Sequence, residues 1–304
     1  MAIIRSCIIN FLKRFYYRQV IDPLIQGIGI TRCIPKIESE FTFEVSLAEH
    51  CDLNCAGCTH FSPLAEPEFA DYEETARDFA RLSSLFHGHI KEIHLMGGEP
   101  LLHPDLVKFL RMARKNFPDA AIIIVTNGLK LLNQPEKFWL ACKKNNIAIQ
   151  PTKYPIPLNF RKMEKCAADH GVEYCYYGNP KRVLKTMNHF KLDVKGRQDS
   201  RRNFLSCDQA NCCVYLQHGR LYTCPVAPTA RHFNKYFGEN LKESPEDSID
   251  IYQANSAREI MEFLARPIPF CRYCMMEETR WHQPWHQSKR VIEEWTQEKR
   301  KSAL

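Results

Sequence analysis

The sequence predicts an α/β protein with a parallel sheet, followed by a smaller α+β region. Two observations carry this. From Thr42 to Tyr176, short apolar strands alternate with amphipathic helices, and alternation at that spacing implies parallel strands joined by right-handed crossovers. After about residue 205 the pattern breaks into a short hairpin, a helix and closely spaced cysteines.

The elements follow in order. Phe43 to Leu47 reads as the first strand and Tyr72 to Phe86 as a helix with Ala76, Phe79, Ala80 and Leu82 inward. Ile90 to Met96 is the second strand, Asp105 to Phe117 the second helix and Ala121 to Thr126 a continuously apolar third strand. Pro135 to Asn145, Ile147 to Gln150, Phe160 to His170 and Val172 to Tyr176 complete the series as helix, strand, helix and strand. Ahead of it, Met1 to Arg18 places Ile4, Ile8, Phe11, Leu12 and Phe15 at helical spacing among basic residues. Such a helix packs on its own domain or rests peripherally on a membrane surface. Asp22 to Glu40, with Pro23, Pro35 and two glycines, marks a connector. The expected segments are 1–41, 42–204, 205–288 and a charged C-terminal helix, 289–304, running from Lys289 to Lys301.

With 304 residues, 44% hydrophobic and 25% charged, the chain has ordinary globular composition and room for a large domain and a small one. No apolar run reaches the roughly 18 residues needed to span a bilayer, and no signal peptide is evident. Fourteen cysteines in so long a chain, clustered at ligand spacing, point to metal chemistry in a reducing cytoplasm and not to a disulfide framework. The formal charge is +7, and eight basic residues against two acidic ones fall between Lys181 and Arg202. That segment is a solvated face or a rim attracting an anionic substrate. Nucleic acid is not the expected partner.

Cys51, Cys55 and Cys58 form a C-x3-C-x2-C triplet on the loop after the first strand. Three thiolates are too few to close a structural zinc site. They suit an iron-sulfur cluster with one iron left open. Zinc borrowing His60 or His94 is the competing reading. After the second strand comes Gly97-Gly98-Glu99-Pro100, and the third strand ends in Thr126-Asn127-Gly128. All three motifs lie at the carboxyl ends of strands, where parallel sheets gather ligand groups.

Together these residues resemble the radical S-adenosylmethionine (SAM) enzymes. The resemblance implies a partial (β/α)6 barrel of TIM-like type, a 4Fe-4S cluster on Cys51, Cys55 and Cys58, and SAM bound by Gly97, Gly98, Glu99, Thr126 and Asn127, with Glu99 holding the methionyl ammonium. It also implies reductive SAM cleavage to a 5'-deoxyadenosyl radical, hydrogen abstraction from a small-molecule substrate, and a flavodoxin- or ferredoxin-type electron donor. Gly57 departs from the family, which usually has an aromatic residue there, so adenine stacking is expected from His60 or Phe61.

Cys207, a hairpin over Val214 to Leu216 and Leu221 to Thr223, Cys224, a helix Ser256 to Ala265, and then Cys271 and Cys274 make a second set. Their spacing resembles the Twitch domain, a shortened SPASM domain, and implies one auxiliary 4Fe-4S cluster on Cys207, Cys224, Cys271 and Cys274. A zinc ribbon fits the count equally, and Cys212 or Cys213 could replace Cys207. The run Trp281-His282-x2-Trp285-His286 reads as packing over a cluster. The layout resembles the scyllo-inosamine dehydrogenases and implies net oxidation of a small polar metabolite, sugar-like or anionic. Peptide maturation is the second enzyme reading, and an iron-sulfur or zinc nucleic-acid-binding module is the reading from another class.

Overall fold

The computed structural model describes residue 33, residues 35–176 and residues 186–297. The expected N-terminal helix, Lys181, Arg182 and Lys185, and the end of the expected C-terminal helix lie outside them.

Strands β1 (Thr42–Ala48), β2 (Glu92–Gly97), β3 (Ala121–Thr126) and β4 (Ile147–Pro151) pair in parallel, each beside the next. Helices α1 (Tyr72–Leu85), α2 (Leu106–Asn116) and α3 (Glu136–Lys144) connect them, and α4 (Phe160–Asp169) follows β4. Because side chains alternate across a strand, Phe43, Val45 and Leu47 enter the core shared with the helices, with Ile93, Leu95, Ile122 and Ile124. Glu44, Ser46, His94 and Gln150 fall on the opposite, concave face. Both faces are covered, which is why β3 reads as an unbroken apolar run. Asp71 caps α1 by accepting the Glu74 N–H at 2.8 Å, and Asn159 caps α4 by accepting that of Lys162 at 2.9 Å. Each cap contributes about 1 kcal/mol.

The barrel is more open than six repeats imply. Beyond β4 the expected fifth strand contracts to a bridge between Ile149 and Tyr174, held by Ile149 N–H to Glu173 O and Cys175 N–H to Ile149 O. Pro151 has no N–H to continue the ladder, and the chain turns away through Thr152, Lys153 and Tyr154.

On the other edge the sheet continues. Strand β5 (Thr186–His189) and helix α5 (Ser200–Ser206) precede β6 (Tyr215–Gln217), which pairs in parallel with β1 through Glu44 to Tyr215 and Val45 to Leu216. Next come β7 (Arg220–Tyr222), helix α6 (Val226–Phe237), β8 (Ser248–Asp250) and helix α7 (Ala257–Leu264). The order is β4-β3-β2-β1-β6-β7-β8, with β7 antiparallel to both its neighbours. The predicted hairpin thus extends the parallel sheet. A second apolar cluster, containing Phe61, Phe190, Phe204, Phe233, Phe270 and Trp295, lies around Cys224 and Cys271.

Strand β9 (Arg280–Pro284) pairs antiparallel with β5. Its continuation lies over the first cysteine loop, with Ala56 N–H donating to His286 O and Ser288 N–H to Asn54 O. The expected helix from Lys289 is, within the described residues, a single 3-10 turn, Ile292–Glu294. Glu294 accepts the Lys289 N–H and the Ser288 hydroxyl, so it closes a local loop. Fully buried Trp295 donates its indole N–H to Cys58 O at 3.0 Å, and its carbonyl accepts the Leu192 N–H. Backbone spent on these contacts is withheld from a helix.

Candidate cluster and cofactor site

The loop from Cys51 to Phe61 takes left-handed turns at Asn54, Gly57 and Phe61, which curl it tightly enough to turn all three thiols inward. Cys51 Sγ accepts the Leu53 N–H at 3.4 Å and an Asn127 Nδ2 hydrogen at 3.6 Å, and Cys55 Sγ accepts the Trp285 indole N–H at 3.2 Å. Burial pushes the Cys55 thiol up to about 12, and the charge of Cys58 adds to it. Burial, with Glu99 and Cys58, also raises Cys51. At Cys58 burial acts in the same direction, but the neighbouring His60 outweighs it and holds the thiol below its ordinary range. Three adjacent thiols, one buried and two partly buried, cannot all ionise against one another unaided. Such a donor set fits a polycationic group that deprotonates its ligands outright.

Gly97 and Gly98 are required by the chain's own backbone. A Cβ at Gly97, whose φ is +121°, would stand 2.2 Å from Ser46 Oγ, and one at Gly98 would stand 2.2 Å from His50 O. Neither leaves room for a methyl group. The close approach lets Gly98 N–H donate to Ala48 O and Glu99 N–H to His50 O, pinning this turn to the segment that leads into Cys51.

Glu99 is 0% exposed. Its Oε1 accepts the Leu101 N–H at 3.0 Å and the Thr126 hydroxyl at 2.6 Å, and its Oε2 accepts the Asn127 N–H at 2.8 Å. Burial is the main reason its carboxyl is raised to about 7, with Asp52 contributing and these hydrogen bonds opposing. Asn127 Nδ2 in turn donates to Asp52 Oδ1 at 2.8 Å. Glycine turn, strand end and cysteine loop are therefore one hydrogen-bonded unit, and Glu99 positions all three.

Where Gly57 replaces an aromatic residue, the His189 imidazole closes the space, with its Cδ2 only 2.9 Å from where a Cβ would lie. Phe61 is not an adenine platform. It is fully buried against Phe190, Phe233 and Trp295, with ring centroids 5.9, 5.5 and 6.0 Å away. Tyr154, after β4, lies close enough to Cys55, Cys58 and Cys51 for their charges to raise its hydroxyl, after burial as the leading cause. Its ring centroid is 5.8 Å from that of Trp285.

The second set also converges. Burial raises Cys224, with Cys207 and Cys271 adding; it raises Cys271 to about 12, with Cys207 adding; and it raises Cys274, with Cys271, Cys224 and Cys207 adding. Cys207 thus acts on all three of the others. Cys207 is the residue brought to the group, while Cys212 is exposed. Asn203 on α5 donates to the Cys271 and Cys274 carbonyls and accepts the Met276 N–H, locking the C-x2-C turn. Among the described residues, no three His, Cys, Asp or Glu side chains stand at the spacing for a single metal ion.

In the basic segment Lys191 is structural, while Arg197 and Arg202 are exposed and pair with acidic neighbours. Lys191 is 5% exposed and donates to Glu293 O at 2.6 Å, Arg197 pairs with Asp193 at 3.1 Å, and Arg202 pairs with Glu277. No spacing rule in the sequence indicates Asn203, His189 or the choice of Cys55 as partner of Trp285. A cavity of about 330 Å³ lies between α2 and α3, and no cysteine lines it. Among the described residues no helix is long and apolar enough to cross a membrane.

Residues 45–149, which hold β2, β3 and most of the parallel strands β1 and β4 with their connecting loops, are similar to the Radical SAM superfamily. The GTP 3',8-cyclase of Nautilia profundicola is 33% identical over 125 residues, covering 40% of this chain and 38% of that protein. The GTP 3',8-cyclase of Sulfurimonas denitrificans is 30% identical over 113 residues, covering 36% and 34%. The match therefore spans less than two fifths of these relatives' length. The crystal structure of BtrN in complex with AdoMet and 2-DOIA aligns with a TM-score of 0.50 at 19% identity, over 79% of this chain and 94% of that one, which shows a shared fold.

Proposed function

We propose that the protein is a radical SAM enzyme that oxidises a small polar metabolite, using Cys51, Cys55 and Cys58 for the SAM-binding cluster and Cys207, Cys224, Cys271 and Cys274 for an auxiliary one. The observation that carries this is the convergence of both buried cysteine groups in one chain. The first is tied to the glycine turn and the Thr126–Gly128 strand end. The second is assembled by Asn203.

Cys51, Cys55 and Cys58 would hold a 4Fe-4S cluster beside SAM, and the pair would supply one-electron cleavage of SAM and hydrogen-atom abstraction chemistry. The protein's residues then do the rest. Glu99 holds the turn that faces SAM, either accepting the methionyl ammonium itself or positioning the backbone that does. Trp285 and Tyr154 cover Cys55 and keep water from the cluster. Cys207, Cys224, Cys271 and Cys274 would hold an auxiliary cluster able to take up the one electron that, with one proton, must leave the substrate after hydrogen abstraction for the net change to be an oxidation.

The named relatives are cyclases of GTP, which supports redox-neutral rearrangement as a second reading; the four-cysteine site as electron acceptor favours oxidation. A flavodoxin or ferredoxin is the proposed reductant, and the cytoplasm the proposed location.

The test uses anaerobic holoprotein with SAM and dithionite, which should yield 5'-deoxyadenosine. Cys224→Ala should keep SAM cleavage and hydrogen transfer from labelled substrate while losing the oxidised product. Oxidised product from Cys224→Ala would remove the auxiliary site from the reaction.

A further inference from the structure

The cavity between α2 and α3, about 330 Å³ in volume, lies outside the cysteine groups and their glycine turn. It reaches the size of small-molecule sites, which begin at about 300 Å³. Leu106 and Phe138, both buried, give it an apolar lining. Its polar walls are held in place by the chain itself. Gln134 donates to Leu101 O at 3.2 Å, and His103 Nδ1 accepts the Asp105 N–H at 3.0 Å while its Nε2 lies 3.2 Å from Ala70 O.

The charge of the cavity is positive. Asp105 is the one carboxylate among the lining residues, and it meets Lys108 Nζ at 3.1 Å, so that pair cancels. Burial holds His103 below the ordinary imidazole range, so it adds no charge at neutral pH. Arg111 on α2 and Lys137 on α3 remain. Both are exposed, both line the cavity, and neither is ion-paired among the described residues. Glu136, beside Lys137, is taken by His170 at 3.0 Å and does not line the cavity. The first turns of α2 and α3 also open on this space, and neither helix has a side-chain acceptor at its N-cap. The positive ends of the two helix dipoles therefore add to the two side-chain charges.

Two unopposed cations over an apolar lining set the ligand's chemistry. A phosphate dianion neutralises both, and the planar fork of a guanidinium matches two of its oxygens. A neutral molecule leaves Arg111 and Lys137 unsatisfied, and a bare anion leaves Leu106 and Phe138 uncovered. A phosphate ester with an apolar or ring-shaped body meets both requirements.

We infer that this cavity is a second ligand site, in which Arg111 and Lys137 hold the phosphate of a small organic phosphate ester whose body covers Leu106 and Phe138. The site is separate from the proposed radical SAM centre and does not depend on it.

The test is isothermal titration calorimetry of the anaerobically reconstituted full chain with phenyl phosphate, phenol and inorganic phosphate as probes. Phenyl phosphate should bind about tenfold or more tighter than either of the others, because only it has both the charge and the apolar body. Arg111→Gln and Lys137→Gln should each weaken it about tenfold or more, as loss of a charged hydrogen bond does. Neither should lower the melting temperature, since both side chains are exposed and unpaired. Lys165→Gln, on the surface of α4 and outside the cavity, should leave the affinity unchanged. No binding of phenyl phosphate at millimolar concentration, phenol or inorganic phosphate binding as tightly, unchanged affinity in Arg111→Gln and Lys137→Gln, or an equal loss in Lys165→Gln overturns the inference. Formation of 5'-deoxyadenosine by the wild type is scored separately and reports on the radical SAM reading alone.

Discussion

Trp285 shows how one side chain can set the behaviour of a cysteine 230 positions away. Its indole N–H donates to Cys55 Sγ at 3.2 Å, and a donor aimed at a cluster thiolate favours the more negative, reduced state. A hydrogen bond of about 1 kcal/mol corresponds to roughly 40 mV in a one-electron couple. Trp285→Phe keeps the ring and loses the donor, so redox titration of the SAM-binding cluster should find its potential lower by that order. An unchanged potential would mean the indole only packs. Glu99 is a second case. Glu99→Gln sets an amide NH2 against the Thr126 hydroxyl or the Asn127 N–H, which should cost about 1 to 3 kcal/mol of stability in denaturant titration. SAM affinity measured on the same variant separates a direct contact with the ammonium from a positioning effect.

Among the elements, β1 and β2 carry a charge device on their concave side. Between Glu44 and Glu92, the imidazole of His94 is raised to about 9; burial opposes the rise, and the two carboxylates more than overcome it. The folded value exceeds the ordinary 6.5, so the stabilisation is full below pH 6.5 and is lost as pH rises through about 9. Thermal melting of ligand-free protein should show wild type and His94→Gln converging over that window. A constant gap would place His94 outside the titration. Elements also show what the sequence makes legible. Strands and helices between Thr42 and His170 follow periodicity, and the structure places them nearly as predicted. The fifth strand and the C-terminal helix were decided by tertiary contacts: the missing N–H of Pro151, and the burial of Trp295 under Cys58. The glycines at 97 and 98 were legible as a motif, but the reason for them, that a Cβ at either would stand 2.2 Å from Ser46 Oγ or His50 O, was not.

At the scale of the whole molecule, the seven-stranded sheet runs without interruption from β4 to β8 and joins the strands before the first cysteine loop to the hairpin of the second cysteine set. One framework thus carries both cysteine groups, as the proposed coupling of radical formation to electron removal requires. Residues 54–56 are hydrogen-bonded to residues 286–288, and Trp295 donates to Cys58 O two residues further on. The account stands on two separate iron-sulfur clusters in this framework, and iron content with EPR spectroscopy of the anaerobically reconstituted protein tests it most directly. Wild type should bind about eight irons, and changing Cys51, Cys55 and Cys58 together to Ala should leave about four, with one reduced-cluster signal remaining. About four irons in the wild type, an unchanged count in the triple variant, or zinc in place of the remaining iron would contradict it.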